Sequence, residues 1–407
     1  MKVGLSKAKS PDKFDFVLCT YMALMAIMSI LSIYSAYGIL GKDASIDYIM
    51  RQVMWYIVGC IAIGAIMYLG NDSMLQFAKI GYWFLLGCLV VLLLAKIFMA
   101  LTGSSSFLGI IIPVNGATSW YQFPAIGSFQ PSEFMKIILI LITAGIIDEH
   151  NNNKITDSYE MDFSLFLEVA KWALPPMLLI LVQPDTGVVL IIAISLFAMI
   201  VCSGIKREWF LLIGILIFVV LALFFYMYFY HFDLLSKLIG GEGGYKLSRI
   251  SAWLNPESDI NGEGHQLYMA LLALGSAGLT GHGMGAELVS IPEAQTDFIF
   301  AVAGQTWGLL GTLFIVALCL GLDIHLCRVA SNSKNMFEKY FIIGILGMLL
   351  YQQVQNIGMI IGLLPITGIT LPLISYGGSS LLSYMIAFGI IFNASAKAKK
   401  LSDYIYE

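Results

Sequence analysis

A polytopic all-α membrane protein, with ten transmembrane helices and two long extracytoplasmic loops, is predicted by three observations. The 407-residue chain is 59% hydrophobic and only 12% charged, with a mean hydropathy of +0.84. A soluble domain carries about 25% charged residues, so most of this chain belongs in lipid. Apolar runs recur along it, many near the ~20 residues that a helix needs to cross the hydrocarbon core. When those runs are threaded in order, lysine and arginine gather on one side of the membrane.

The runs lie at about 14–39, 52–70, 79–101, 132–148, 168–183, 186–204, 208–230, 297–327, 339–363 and 378–396. The first is too long for the apolar core of a signal peptide and lacks a clear cleavage site, so it reads as the first span. The fifth and sixth are short and separated only by Gln183-Pro184-Asp185-Thr186-Gly187. Proline and glycine break the helix there and predict a tight hairpin. Merging the two would give nine spans and move every later loop to the other side.

The basic residues decide between ten and nine. With ten spans and the N-terminus inside, fifteen fall in cytoplasmic segments: Lys2, Lys7, Lys9, Lys13, Lys79, Lys154, Lys171, Lys206, Arg207, Arg328, Lys334, Lys339, Lys397, Lys399 and Lys400. Five fall outside: Lys42, Arg51, Lys237, Lys246 and Arg249. That bias places both termini in the cytoplasm. One domain, 1–407, then has a cytoplasmic tail at 1–13, a large outer loop at about 231–296 and a second cytoplasmic tail at about 397–407.

Other classes leave no trace. The six cysteines form no CxxC or Cys/His pattern, so no disulfide framework or zinc site is implied. No Walker A loop is present, and GHGMG at 281–285 reads as a flexible loop rather than a phosphate cradle. No internal repeat points to an inverted-repeat transporter. The outer loops, about 102–131 and 231–296, carry Trp, Tyr, Pro and isolated charges. Loops of that length usually serve function.

Polar motifs collect on this outer face. Glu133 and Lys136 share one helix face at i,i+3 spacing. Pro131-Ser132-Glu133 also reads as an ordinary helix start. A lysine entering an apolar span is costly and usually functional, and Lys136 is placed to face an anionic headgroup. Asp185 sits in a turn that Asp favours anyway. Arg249, with Lys246, Trp253 and Asn255-Pro256 nearby, suits a pyrophosphate or a sugar, or simply a solvated loop. Asp297 opens an apolar run after IPEAQT, where an N-cap is the commonest role. A partly desolvated carboxylate there would have a raised pKa and would serve as a general base. The glycines and prolines of 362–378 keep the last outer segment irregular, and such backbone at membrane depth must be buried in protein or line a wet cavity. The intramembrane charges Lys96 and Lys136 lie toward the outer half, with none comparable expected in the inner half.

NGATSW (115–120), QPSEFMKI, QPDTG, RISAWLNPESD, IPEAQTDFIFA and LPITGITLPLISYGGSS, in this order, closely resemble the SEDS family (shape, elongation, division and sporulation), with GATSWY closer to its RodA branch. The resemblance runs from the first span to about Asn393. It implies a ten-helix peptidoglycan glycosyltransferase that polymerises lipid II on the outer face of the bacterial cytoplasmic membrane. The usual partner is a class B penicillin-binding protein, a transpeptidase; no nucleic acid is involved. It implies Asp297 as the essential acid and a functional Trp120. The substrate-binding candidates are Trp120, Glu133, Lys136, Asp185, Lys246 and Arg249, with Ser375 and Gly377 of ISYGGSS. A divalent cation, magnesium or manganese, is the only cofactor in view, and no metal ligand is assigned. One departure stands out: Gln305-Thr306 occupies the place where Glu-Glu is usual. Two rival classes are a lipid II flippase and a non-catalytic scaffold for the penicillin-binding protein.

Overall fold

The computed structural model describes residues 14–406 apart from 115, 124–126, 155–157, 240–242, 261, 263 and 287. Its order begins with α1 (Phe16–Ser35), a short α2 (Tyr37–Leu40), α3 (Lys42–Leu69) and α4 (Met74–Thr102). Strands β1 (Tyr121–Phe123) and β2 (Gly127–Phe129) follow, and then α5 (Pro131–Asn153), α6 (Tyr159–Val182), α7 (Thr186–Val201) and α8 (Arg207–Tyr230). The large loop holds α9 (Phe232–Ile239), α10 (Gly243–Leu254) and α11 (His265–Ser276). The chain ends with α12 (Ile299–Asn332), α13 (Met336–Ile360) and α14 (Gly378–Tyr406).

Among the described residues, eight helices are long and apolar enough to cross a membrane: α1, α3, α4, α6, α8, α12, α13 and residues 378–398 of α14. The other two expected spans are α5 and α7. The first is richer in polar residues because most of its side chains are buried against protein rather than lipid. The second has only 16 residues, which rise about 24 Å. The expected break at 183–185 is present: α6 stops at Val182, and Asp185 caps α7 by accepting the Val188 N–H at 3.3 Å. Pro175 and Pro176 lie within α6 without ending it.

Three features went unforeseen. The first outer loop contains an antiparallel pair with Tyr121 opposite Phe129. The helical content of the second loop extends well beyond the expected stretch at 266–274. The largest difference concerns the eighth span. Gly308 (φ 63, ψ −154) breaks α12 into arms 299–307 and 309–332. Eight residues of straight helix would separate Gly304 from Thr312 by about 12 Å. Instead, a Cβ on Gly304 would lie 3.3 Å from Thr312 Cγ2, so the arms fold back toward each other. GHGMG is the clasp of this fold. His282 and Gly283 donate their N–H groups to the Gln305 and Thr306 carbonyls at 2.9 and 3.0 Å, and Leu309 and Leu310 donate to Gly278 and Leu279 at 3.0 and 3.2 Å. Backbone meets backbone so closely that neither Gly281 nor Gly308 has room for a Cβ.

Buried acids also occur away from the outer motifs. Asp15 caps α1 and meets His325 Nε2 at 2.9 Å and the Ser395 hydroxyl. Glu338 receives Lys397 Nζ and Asn71 Nδ2, each at 2.8 Å. Asp323, in the longer arm of α12, is only 4% exposed. It departs from the expectation that Lys96 and Lys136 have no comparable charge deeper in the membrane.

Candidate functional site

Two polar clusters meet on one strip of chain, Thr367-Gly368-Ile369. On one side lies Asp297. It stands two residues before the short arm of α12, packed against the end of α13 and the strip. Its backbone carbonyl accepts Asn356 Nδ2 at 2.7 Å, and Asn356 lies a turn short of the end of α13. The same amide donates to the Ile369 carbonyl at 2.7 Å. A Cβ at Gly368 (φ 70) would sit 3.3 Å from Asp297 Oδ2, so the strip lies flat against the carboxylate because it has no side chain there. Ser375 ties the segments together, donating to the Thr296 carbonyl and accepting the Leu371 N–H, while Tyr376 N donates to Gln295 O. Glu293 (φ 49) and Leu373 (φ 63) adopt left-handed backbone in these two segments, a conformation that costs on the order of 1–3 kcal/mol and clusters at functional sites.

Arg249 closes this side by donating Nη1 to the Ile366 carbonyl at 3.3 Å, and Trp253 Nε1 donates to Gly362 O at 3.0 Å. Asp297 is half-buried, and its carboxyl is packed among protein atoms. Burial, assisted by Glu293, pushes its pKa up to about 7, with Arg249 opposing. A carboxylate that titrates near neutrality fits a general base.

On the other side of the strip lies Asp185. Gly187 packs against it, such that a Cβ there would lie 3.2 Å from Ile369 Cγ1. Asp185 Oδ2 accepts Gln130 Nε2 at 2.8 Å and the Ser132 hydroxyl at 3.4 Å. Trp120 Nε1 donates to Gln130 Oε1 at 3.0 Å, so Gln130 links tryptophan to acid. Burial raises the Asp185 pKa to about 6, helped by Glu133 and opposed by the Val188 N–H, Lys136 and Gln130. Lys136 Nζ pairs with Glu133 at 2.9 Å and lies 5.4 Å above the Tyr384 ring. At 1% exposure it is sealed inside the bundle rather than open to a headgroup, and its charge bears on Glu133 and Asp185.

The structure therefore joins Asp297 and Arg249 to the Trp120–Asp185–Glu133–Lys136 cluster. Ser375 holds the framework, and the Gly377 carbonyl opens α14 by accepting the Leu381 N–H. The Lys246 side chain lies outside the described residues. Gln130, Asn356 and Gly368 were not singled out from sequence. The run of amides Gln352-Gln353-Val354-Gln355-Asn356 inside an otherwise apolar helix was the available signal. Among the described residues, no group of three or more His, Cys, Asp or Glu is placed to share a metal ion.

A family model described as cell cycle protein, covering FtsW, RodA and SpoVE, matches residues 14–400. The chain belongs to this SEDS family. The SEDS protein is 34% identical to the probable peptidoglycan glycosyltransferase FtsW of Lactococcus lactis over 77% of each chain. It is 31% identical to the stage V sporulation protein E of Bacillus subtilis, covering 87% of this chain and 88% of the relative. Its fold matches a chain of a peptidoglycan synthase complex that coordinates polymerization and crosslinking, with TM-score 0.72 and 22% identity over 95% of this chain and 98% of the other. It also matches the Thermus thermophilus rod shape determining protein RodA, with TM-score 0.61 and 23% identity over 94% and 96%. These two likenesses concern the fold alone.

The Gln305-Thr306 departure has a local explanation. Gln305 is 2% exposed, and its Nε2 donates to the Ala286 carbonyl at 2.8 Å. Thr306 Oγ1 bonds back to Val302 O at 2.8 Å. An ionised glutamate at 305 would set a carboxylate against that carbonyl. Gln305→Glu is therefore expected to cost about 1–3 kcal/mol at pH 8 and less at pH 5, where a protonated carboxyl can donate. Melting in detergent at both values checks this, and equal loss at the two would refute it.

Proposed function

We propose that this SEDS protein is a peptidoglycan glycosyltransferase that polymerises lipid II at the outer face of the bacterial cytoplasmic membrane. Both termini lie in the cytoplasm in this reading, its role is in elongation and cell shape, and a class B penicillin-binding protein cross-links the product. The observation that carries it is the placement of Asp297. A carboxylate titrating near neutrality sits recessed beside Arg249 and a glycine-opened strip, in a chain whose relatives are named peptidoglycan glycosyltransferases.

Asp297 accepts the proton of the incoming N-acetylglucosamine 4-hydroxyl. That oxygen forms the new bond to the donor anomeric carbon, and the bond to the lipid pyrophosphate breaks. One base and one displacement invert the α-linked donor to a β-linked product. Arg249 meets the departing pyrophosphate, since guanidinium suits bidentate phosphate contact. Trp120 and Asp185, bridged by Gln130, supply an aromatic face and hydrogen-bonding groups for sugar. Magnesium commonly takes one or two protein carboxylates together with substrate phosphates. Glu293, exposed beside Asp297, is the residue that would hold magnesium or manganese, whose role is to neutralise phosphate charge.

Purified protein given fluorescent lipid II, with and without its penicillin-binding partner, tests this reading. Glycan polymer is the expected result. Transfer across vesicles without polymer would mean a flippase, and partner binding alone would mean a scaffold. The base must be ionised, so the rate is expected to rise with pH through about 7. Stability should run the other way. The folded-state pKa lies above the ordinary 3.8, so the Asp297 contribution is present below about pH 4 and is lost as pH rises through about 7. A rate flat from pH 5.5 to 8.5 would rule out Asp297 as the base.

A further inference from the structure

We propose that Asp323 is a positioning residue for glycosyl transfer, acting on Asp297 through Gln353 and Asn356. This rests on the reading of Asp297 as the base. Asp323 lies inside a membrane-spanning helix and is 4% exposed. A carboxyl group at such a place is costly and marks function by default. Its Oδ1 accepts Gln353 Nε2 at 3.3 Å, and among the described residues its Oδ2 is buried with no hydrogen-bond partner. No ion pair to Asp323 is formed among them either. The titratable group facing it is Cys319, one turn earlier on α12.

Gln353 and Asn356 are three residues apart on α13 and so share a face, one helical turn from each other. Both are buried, at 5% and 0% exposure. Asn356 spends its amide hydrogens on the Asp297 and Ile369 carbonyls, each at 2.7 Å. Those two bonds fix the catalytic peptide and the strip that lies against its carboxylate. The Asn356 Oδ1 is buried and accepts nothing among the described residues. It is thus the acceptor to which Gln353 would turn if its own were removed, because a buried amide left unsatisfied loses more than one that reorients. Such a turn pulls the Asn356 carboxamide and loosens both of its bonds. Asp323 prevents this by holding Gln353 one turn below.

The experiment compares Asp323→Ala, Asp323→Asn, Gln353→Ala and the Asp323→Ala/Gln353→Ala double variant of the full chain in lipid II polymerisation. Asp323→Ala is expected to lower kcat about tenfold, leave KM within about twofold and displace the pH–rate limb of Asp297, because a small misplacement of a reacting group is costly. Asp323→Asn keeps an acceptor for Gln353 and should retain kcat. Gln353→Ala removes the competing amide, so the double variant should match Gln353→Ala alone. Unchanged kcat in Asp323→Ala overturns the proposal, as does multiplicative loss in the double variant. Loss in Asp323→Ala that follows the folded fraction, measured by melting, and that Gln353→Ala does not relieve, assigns Asp323 a packing role instead. If the parent itself makes no polymer, it is the reading of Asp297 that fails.

Discussion

Asp297→Asn is expected to lower lipid II polymerisation by about 10²–10⁴-fold, the usual contribution of a positioned base, while the protein stays folded. The two side chains have nearly the same shape. The contacts that hold residue 297 use its backbone carbonyl, which accepts Asn356, and its close fit against Gly368. Neither depends on charge. The ionised carboxylate is itself a burden, because burial pushes its pKa up to about 7. At pH 8 the neutral amide should therefore melt at the same temperature as the parent or slightly higher. Unchanged polymerisation by Asp297→Asn would sink the assignment. A large fall in melting temperature would show instead that the acid is structural.

Lys136→Met is expected to cause the largest loss of stability. Lys136 and Glu133 are 1% and 6% exposed and pair at 2.9 Å. Removing one partner of a buried pair typically costs about 3–5 kcal/mol, because the other charge stays buried alone. Asp185 feels the change too, since Lys136 is one of the groups opposing the rise in its pKa. Glu133→Gln/Lys136→Met removes both charges and should recover most of the loss, as apolar replacement of a whole buried pair is often near neutral. Thermal melting of the parent, the single variant and the double variant checks this. Equal destabilisation by the single and the double variant would show that the charge pairing is unimportant.

The spans were legible because lipid demands long apolar helices, and the 183–185 break because proline and glycine interrupt one there. The outer motifs were legible as a set because irregular polar backbone at membrane depth needs a shared enclosure. The fold-back of α12 was not. Trp307-Gly308-Leu309 lies within one long apolar span interrupted only by Gln305-Thr306, and a glycine within a helix pattern is compatible with continuous helix. Only the clasp from residues 278–283, some 25 positions upstream, makes the left-handed Gly308 conformation affordable. Asn356 and Asp323 were passed over for a related reason: their partners come from distant segments, which local periodicity does not reveal.

The clasp bears on how freely this sequence can drift. It grips the main-chain carbonyls of 305 and 306, so its own hydrogen bonds are made without the side chains at those positions. Glutamine and threonine can stand there while the short arm still delivers Asp297 to the same spot. The glycines at 281 and 308 have no such latitude, because there the join is made of nothing but backbone. In this chain the acid proposed to react and the means of holding it are written in separate residues.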